Sequence, residues 1–296
     1  MDKVKRMNKT GVTKYVLAAV VAICMLLSAG CNSAEIKQDT ADLSGTDKIK
    51  ERGVLEVGTT GDYQPLSYLD PETGEYSGFD IELAEDLAED LGVDIEYVET
   101  SWPSLMDDTL AGKFDLAISG ITITDAREEQ ALMSEGYIEN GKTILCRKED
   151  ADKYTGIEAI NHPEVRVMEN PGGTNEKFAR ENLPDANLVI HDVNQEIPEL
   201  IASGEADVMI TEIVEAAYYT GQDDRLAAPL INEPFTKGEI GILMPKGSED
   251  LQSYVNEFLQ KEKESGRIDE LADKYFFINP EDTEEAEDDN ELAPAA

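Results

Sequence analysis

The chain has 296 residues, and its 64 acidic and 25 basic side chains give it a formal net charge of −39. A surface this acidic repels the phosphates of nucleic acids and anionic lipid headgroups, which argues against a nucleic-acid-binding function. Hydrophobic residues make up 41% of the chain, which is enough for the core of one large or two small domains.

The start of the chain has the pattern of a secretory signal. Residues 1–14 are basic and polar, and residues 15–28 form an uncharged apolar run that is shorter than the roughly 20 residues of a membrane span. The run ends in LSAGC at residues 27–31, which resembles a bacterial lipobox. The resemblance implies removal of residues 1–30 as a lipoprotein signal peptide and lipid on the sulfur of Cys31. We therefore expect an extracytoplasmic protein that is anchored to the cell membrane, in the periplasm or at the cell surface.

Two further segments are polar and carry no helix or strand pattern. Residues 31–46 are small and polar and are predicted to be a tether. Residues 279–296 contain eight acidic and no basic side chains, which predicts a solvated, disordered tail.

The cysteines and histidines give no support for a disulfide or a metal site. Cys24 lies in the removed segment and Cys31 would carry lipid, so Cys146 is left without a disulfide partner. His162 and His191 are the only histidines, and their spacing does not match a zinc motif. We therefore predict that no metal is bound.

From residue 54 onward, apolar strand-like runs alternate with amphipathic helix-like segments. The pattern predicts strands at 54–60, 93–98 and 114–119, with a helix between each pair. Asp80 is the expected N-cap of the first helix, and Gly92 is expected to end it. A β-α-β-α-β series of this kind implies parallel strands with right-handed crossovers.

The pattern then restarts in the second half of the chain. It predicts strands at 165–169, 188–191, 207–211 and 240–244, and helices at 176–182, 197–203, 251–262 and 268–275. Two such α/β series fit the length of the chain as two α/β lobes.

The stretches 137–146 and 231–240 are the expected crossings between the lobes. They predict a first lobe of residues 47–141 plus 237–278, with residues 142–236 inserted as a second lobe. Ligands of open parallel sheets bind beyond the carboxyl ends of the strands, so a site is expected in the cleft between the lobes.

Three segments of the first lobe carry a resemblance to a known family. They read GVLEVGTTGDYQPLSY at 53–68, GFDIELA at 78–84 and GKFDLAISGITITDAR at 112–127. Together they resemble the type-2 periplasmic solute-binding proteins of amino-acid importers, over about residues 47–278. The resemblance implies two α/β lobes joined by a two-crossing hinge, with a ligand cleft between them.

Several other segments are more similar to one branch of this superfamily, the periplasmic cyclohexadienyl dehydratases. These segments are TTGDY at 59–63, SWPSLM at 101–106, GKT at 141–143, NPGGTNEKFAR at 170–180 and TEIVEA at 211–216. The resemblance implies dehydration with decarboxylation of prephenate to phenylpyruvate, of arogenate to phenylalanine, or of both. Aromatisation drives this reaction, so no cofactor is expected.

The resemblance also implies carboxylate-binding residues. Arg127 would hold a substrate carboxylate with its guanidinium fork, although it could instead pair with Glu128 or Glu129 at the surface. Asn170 and the turn at 172–174, which includes Gly173 and Thr174, would present backbone N–H groups at the start of a helix to an anion.

Aromatic and polar side chains complete the implied cleft. Tyr63 and Trp102 would wall the cleft around a planar ring, or else belong to the core of a lobe. Asp62 and Thr122 are further expected contacts with the substrate, and Asp62 could instead only cap a turn.

Two glutamates follow the predicted strand 207–211. Glu212 stands where amino-acid-binding relatives usually have an Asp that pairs with the ligand amino group. Glu215 aligns with the general acid of the dehydratases, and burial would keep it protonated near neutral pH. The alternative for Glu215 is a solvated position on the first turn of a helix.

A second function stays open at this stage. The chain could be a binding protein that delivers an amino acid to an ABC permease, since a lipid anchor keeps such a receptor beside its transporter. The segment KGEIGILMPKG at 237–247 also resembles an importer component more than a dehydratase. A small dicarboxylate or an amino acid is therefore the expected ligand.

Overall fold

The computed structural model describes residues 45–276. The predicted signal peptide, the lipidation site Cys31, nearly all of the predicted tether and the predicted acidic tail lie outside these residues. Within residues 45–276, every helix is too short or too polar to cross a membrane.

Helices and short strands alternate along the described chain. The helices are α1 (Gly45–Arg52), α2 (Phe79–Leu91), α3 (Leu105–Leu110), α4 (Asp125–Glu128), α5 (Ile157–Ile160), α6 (Thr174–Asn182), α7 (Ile197–Ala202), α8 (Ile213–Gln222), α9 (Glu249–Ser265) and α10 (Arg267–Tyr275). The strands are β1 (Val54–Thr59), β2 (Asp62–Tyr63), β3 (Ser67–Leu69), β4 (Tyr76–Ser77), β5 (Asp94–Glu99), β6 (Leu116–Ala117), β7 (Leu132–Met133), β8 (Ile138–Asn140), β9 (Lys142–Arg147), β10 (Arg166–Glu169), β11 (Asn187–Ile190), β12 (Val208–Glu212), β13 (Leu226–Ala227), β14 (Gly238–Ile240) and β15 (Leu243–Met244).

The first sheet has the strand order β5-β1-β6-β15-β7. Strand β1 pairs in parallel with β5 and β6, which confirms the predicted parallel series. The inward side chains of β1, Leu55 and Val57, are fully buried in one hydrophobic cluster with Leu83 and Leu87 of α2. Burial of each such side chain contributes roughly 2 kcal/mol, so the amphipathic face of α2 holds it on the sheet.

The second sheet has the strand order β11-β10-β12-β9-β13. Strand β10 is parallel to β11 and β12, whereas β9 pairs antiparallel with β12. The predicted crossing 137–146 is therefore wrong for residues 142–146, which belong to strand β9 of the second sheet. Its residues 143–146 are completely buried, so this segment is a central strand of the sheet.

Two short strands connect the sheets. Strands β8 and β14 pair antiparallel, so the two predicted crossing segments lie side by side. The single predicted strand at 240–244 is wrong, because β14 pairs with β8 whereas β15 pairs with β6 and β7 of the first sheet. The boundaries of the two lobes stay a prediction.

Asp80 does not cap α2 as predicted. The N-cap is Gly78, and Asp80 is instead fully buried inside the first turn. Its Oδ2 accepts a hydrogen bond from the N–H of Gly120 at 2.5 Å and its Oδ1 accepts one from the Tyr137 hydroxyl at 2.7 Å. Burial raises the pKa of Asp80 to about 7, against the effect of these hydrogen bonds. Gly92 ends the helix as predicted, with a left-handed φ of 75°.

A partly buried cluster of one carboxylate and two arginines supports the start of β12. Asp207 accepts hydrogen bonds from Arg166 Nη2 at 2.7 Å and from Arg147 Nη2 at 3.0 Å, and Asp207 Oδ2 also accepts the backbone N–H of Arg166 at 3.0 Å. Burial alone would raise the pKa of Asp207, but the hydrogen bonds and charges of the two arginines outweigh it and lower the pKa.

We predict that Asp207→Asn lowers the free energy of unfolding by about 2 kcal/mol at pH 7, because Arg147 and Arg166 lose a charged hydrogen-bond acceptor, although Arg147 keeps its ion pair with Asp150. Since the folded pKa lies below the unfolded value of about 4, the difference from wild type should be complete above about pH 5 and shrink as the pH falls below 4. Urea unfolding at several pH values measures it. The exposed Asp185→Asn is the control, and equal stability of the two variants would contradict the prediction.

Candidate active site

A narrow cavity with about 20 Å³ of internal space lies where the strand ends of the two sheets face each other. It is lined by Tyr63, Trp102, Gly120, Thr122, Arg127, Asn170, Gly173, Thr174, Asn175 and Glu212. The structure thus brings together eight of the predicted site residues, and it adds Gly120 and Asn175. A cavity of this size holds about one water molecule, so the cleft is closed in this structure and must open to admit a larger ligand.

Glu212 is the best-bonded side chain in this cavity. Its carboxylate accepts hydrogen bonds from four groups: Tyr63 Oη at 2.7 Å, Thr122 Oγ1 at 2.7 Å, Asn140 Nδ2 at 3.1 Å and Lys142 Nζ at 3.3 Å. Burial would raise the pKa of Glu212, but the charge of Lys142 and these hydrogen bonds outweigh it and lower the pKa. Glu212 is therefore a carboxylate whose acceptor capacity is already used by the protein.

Lys142 is a buried cation that the sequence analysis did not select as a site residue. It is the first residue of β9 and stands directly opposite Glu212 in the antiparallel pairing. Its Nζ also donates to Thr174 Oγ1 at 2.9 Å and to Asn175 Oδ1 at 2.6 Å. The signal in the sequence was the segment GKT at 141–143, which resembles the dehydratases and contains this lysine.

Arg127 is a second buried cation, with 9% of its surface exposed. Its Nη1 donates to the carbonyl of Thr122 at 2.6 Å, and its backbone follows the N-cap Thr124 of α4. Among residues 45–276, no carboxylate forms an ion pair with Arg127, so the surface pairing with Glu128 or Glu129 is wrong. Burial lowers the pKa of Arg127, although the charge of Glu212 opposes this, and a buried cation without an ion-pair partner among the described residues favours an anionic ligand.

The loop before α6 meets the opposite side of the cleft. Gly172 has φ of 85°, and a Cβ there would lie 2.6 Å from the backbone nitrogen of Pro103, so only glycine permits this approach. Its N–H donates to Glu176 Oε2 at 2.6 Å, so the expected anion contact is wrong for Gly172. Gly173, the N-cap of α6, and Thr174 line the cavity as predicted.

Two aromatic rings form one wall of the cavity. Tyr63 and Trp102 meet edge to face, with ring centroids 5.7 Å apart. Trp102 Nε1 donates to Asp62 Oδ1 at 3.0 Å, and burial raises the pKa of Asp62. Asp62 itself is not among the residues that line the cavity.

Glu215 lies on the first turn of α8 and is completely buried, so the solvated alternative is wrong. Its Oε1 accepts a hydrogen bond from Asn194 Nδ2 at 2.8 Å, and its Oε2 contacts the hydroxyl of Thr211. Burial raises the pKa of Glu215 to about 8, although both hydrogen bonds oppose this rise. Glu215 does not line the cavity and is shielded from it in this structure.

The chain belongs to the bacterial extracellular solute-binding proteins, family 3, whose model matches residues 55–278. It has the type-2 periplasmic-binding-protein fold that the sequence predicted. It is 39% identical to the cyclohexadienyl dehydratase of Pseudomonas aeruginosa, over 86% of this chain and 91% of that protein.

Two solved structures are similar to this one. The ancestral amino acid-binding protein AncCDT-1, a precursor of cyclohexadienyl dehydratase, has a TM-score of 0.73 and 39% identity, over 79% of this chain and 100% of that chain. An ancestral cyclohexadienyl dehydratase, AncCDT-3, has a TM-score of 0.51 and 52% identity, over 79% of this chain and 97% of that chain.

We predict that the pKa of Glu215 lies above that of a free glutamate and that the pKa of Glu212 lies below it. Glu215 should be half protonated at about pH 8 because it is buried. Glu212 should remain ionised at pH values below the ordinary glutamate pKa, because the charge of Lys142 and the hydrogen bonds to Glu212 stabilise the carboxylate. Carbon NMR of glutamate-labelled protein measures both, with Glu212→Gln and Glu215→Gln assigning the signals. Two titrations near the ordinary glutamate pKa would contradict the prediction.

Proposed function

We propose that this chain is a cyclohexadienyl dehydratase that converts prephenate to phenylpyruvate, arogenate to phenylalanine, or both. The observation that carries the proposal is Glu215, a fully buried carboxyl group with a pKa raised to about 8. It lies close to a cavity that also holds Arg127, a buried cation without an ion-pair partner among the described residues. A protonated acid beside a carboxylate-binding cavity fits acid-catalysed dehydration. The similarity to the Pseudomonas aeruginosa dehydratase supports the same activity.

The substrate has two carboxylates, and the cavity offers groups for both. Arg127 binds one carboxylate, since its guanidinium can form two parallel hydrogen bonds with it. The first turn of α6, which begins at Gly173 and Thr174, offers N–H groups without partners inside the helix to the other carboxylate. Lys142 adds positive charge beside this turn.

The chemical step needs one proton and a shielded ring. Tyr63 and Trp102 cover the ring of the substrate. Glu215 gives its proton to the ring hydroxyl, which leaves as water while the ring carboxylate leaves as carbon dioxide. The electron pair of the broken C–C bond completes the aromatic ring. Positioning and acid catalysis together account for the reaction without a cofactor.

Glu215 must gain access to the substrate during this reaction. Tyr63 and Glu212 are both close enough to Glu215 to interact with its charge, and they are bonded to each other across the cavity at 2.7 Å. We propose that the entering substrate takes the place of this hydrogen bond and thereby opens the route from Glu215 to the hydroxyl group.

A binding protein for an amino-acid ABC permease is the second candidate. The ancestral amino acid-binding protein AncCDT-1 favours it. The hydrogen bonding of Glu212 argues against it, because four donors, including Lys142, already occupy the Glu212 carboxylate. A ligand ammonium group would have to displace these donors and lie close to a cation.

The proposed location follows from the family and from the start of the chain. We propose that the protein works outside the cytoplasm and is held at the membrane by lipid on Cys31. A permease partner belongs only to the second candidate function.

We predict that the purified protein converts prephenate to phenylpyruvate at pH 7 and that Glu215→Gln lowers kcat roughly 100- to 10,000-fold, because the amide keeps the shape of the side chain but cannot give up a proton. Absorbance of phenylpyruvate measures the rate. Glu181→Gln, the same change at an exposed residue, should keep the wild-type rate.

Three other results would change the conclusion. Full activity in Glu215→Gln would keep the dehydratase but remove Glu215 as its acid. No turnover of either substrate by the wild type, together with a raised Tm in the presence of an amino acid, would establish the binding protein instead. Neither turnover nor binding would overturn both candidates.

A further inference from the structure

Asn194 lies between the two sides of the cleft and has no part in the function proposed so far. It begins the short 3-10 turn Asn194–Glu196 and has 1% of its surface exposed. Its Nδ2 donates to the backbone carbonyl of Asp62 at 3.2 Å and to Glu215 Oε1 at 2.8 Å. One amide nitrogen therefore joins β2, on the side of the first sheet, to the buried carboxyl group on α8.

The orientation of this amide is fixed by its partners. A backbone carbonyl can only accept hydrogen bonds, so the nitrogen of Asn194, and not its oxygen, must face Asp62. The same nitrogen then makes Glu215 Oε1 an acceptor. The Thr211 hydroxyl donates to Oε2 of the ionised form. The proton of a neutral Glu215 must accordingly sit on Oε2, and the Thr211 hydroxyl rotates to accept it.

The neighbouring residue makes a similar contact without reaching Glu215. Gln195 Nε2 donates to the carbonyl of Gly61 at 3.1 Å, in the same loop of the first sheet. Asn194 and Gln195 thus both bond across the cleft, but Asn194 alone of the two also bonds to Glu215. Comparing variants of Asn194 and Gln195 therefore distinguishes the effect of contact across the cleft from the effect of contact with Glu215.

We propose that Asn194 is a positioning residue that couples contact between the two sides of the cleft to the orientation of the Glu215 carboxyl group. The inference rests on the proposed function, in which Glu215 is the proton donor. With Asn194 held by Asp62, Glu215 keeps Oε1 bonded and its proton on one defined oxygen. When the two sides separate, Asn194 loses its fixed position and the acid loses its alignment.

Other ionisable groups also act on Glu215 and remain in place when Asn194 is changed. They are Asp62, Tyr63, Glu169, Glu212 and Tyr219. Since hydrogen bonding from Asn194 stabilises the ionised form of Glu215, its removal should raise the pKa of the acid further. An acid that works in its protonated form would then stay active to a higher pH.

The test compares Asn194→Leu with Gln195→Leu, using prephenate as the substrate from pH 6 to pH 10. We expect Asn194→Leu to lower kcat about 10- to 100-fold and to move the basic limb of the kcat profile up by about one pH unit. Gln195→Leu should raise KM by about 3- to 10-fold, because one hydrogen bond across the cleft is lost. It should not change the pH at which kcat declines on the basic side. If Asn194→Leu changes only KM, as Gln195→Leu does, the proposal is overturned.

Asn194→Asp is the second variant if Asn194→Leu does not fold. It keeps the shape of the side chain but removes the donor and adds a charge beside Glu215, so the limb should again move to higher pH. Carbon NMR of Glu215 measures its pKa without turnover and separates the two proposals. A wild type that does not turn over prephenate contradicts the proposed function, and an unchanged Glu215 pKa in the Asn194 variants contradicts the role of Asn194.

Discussion

The arrangement of the cleft depends on the hydrogen bonds that the carboxylate of Glu212 accepts. It accepts hydrogen bonds from Tyr63 and Thr122 on the side of the first sheet and from Lys142 on β9 of the second. A buried carboxylate is stable only when it is neutralised and fully bonded, so these donors and Glu212 hold each other in place. The walls of the cavity are therefore organised around an anion that belongs to the protein.

Two carboxyl groups with opposite pKa shifts lie within four residues at the end of β12 and the start of α8. Glu212 ends the strand, opposite Lys142, and stays ionised. Glu215 comes three residues later, on the inner face of α8, where burial outweighs its two hydrogen bonds and keeps it protonated. Two carboxyl groups whose surroundings move their pKa values apart are a common basis for acid catalysis. In this protein the first would organise the cleft and the second would supply the proton.

The fold could be predicted where the sequence has continuous apolar runs. The runs at 54–60 and 207–211 predict β1 and β12 to within one or two residues, and the glycine at 92 predicts the end of α2. Strand β9 was missed because it begins with a charged residue and depends on a partner strand far along the chain. The run 240–244 reads as one strand, since the sequence does not show that β14 and β15 turn into different sheets.

Much of the candidate site could also be predicted, but mainly through resemblance. Arg127 and Trp102 stand in segments typical of the family and line the cavity as expected. Lys142 and Asn194 were missed because their partners are distant in sequence: Glu212 lies 70 residues from Lys142, and Asp62 lies 132 residues from Asn194. Such contacts arise from the packing of the two sides, and the local sequence does not show which distant residues become partners.

The role of Glu215 as the proton donor is tested most directly by the pH dependence of kcat for prephenate turnover by the wild-type protein. We predict that kcat is constant near neutral pH and declines as the pH rises through about 8, since the pKa of Glu215 is raised to about 8 and the acid works only while protonated. A kcat that instead rises with pH over this range would contradict it, because the essential group would then be a base.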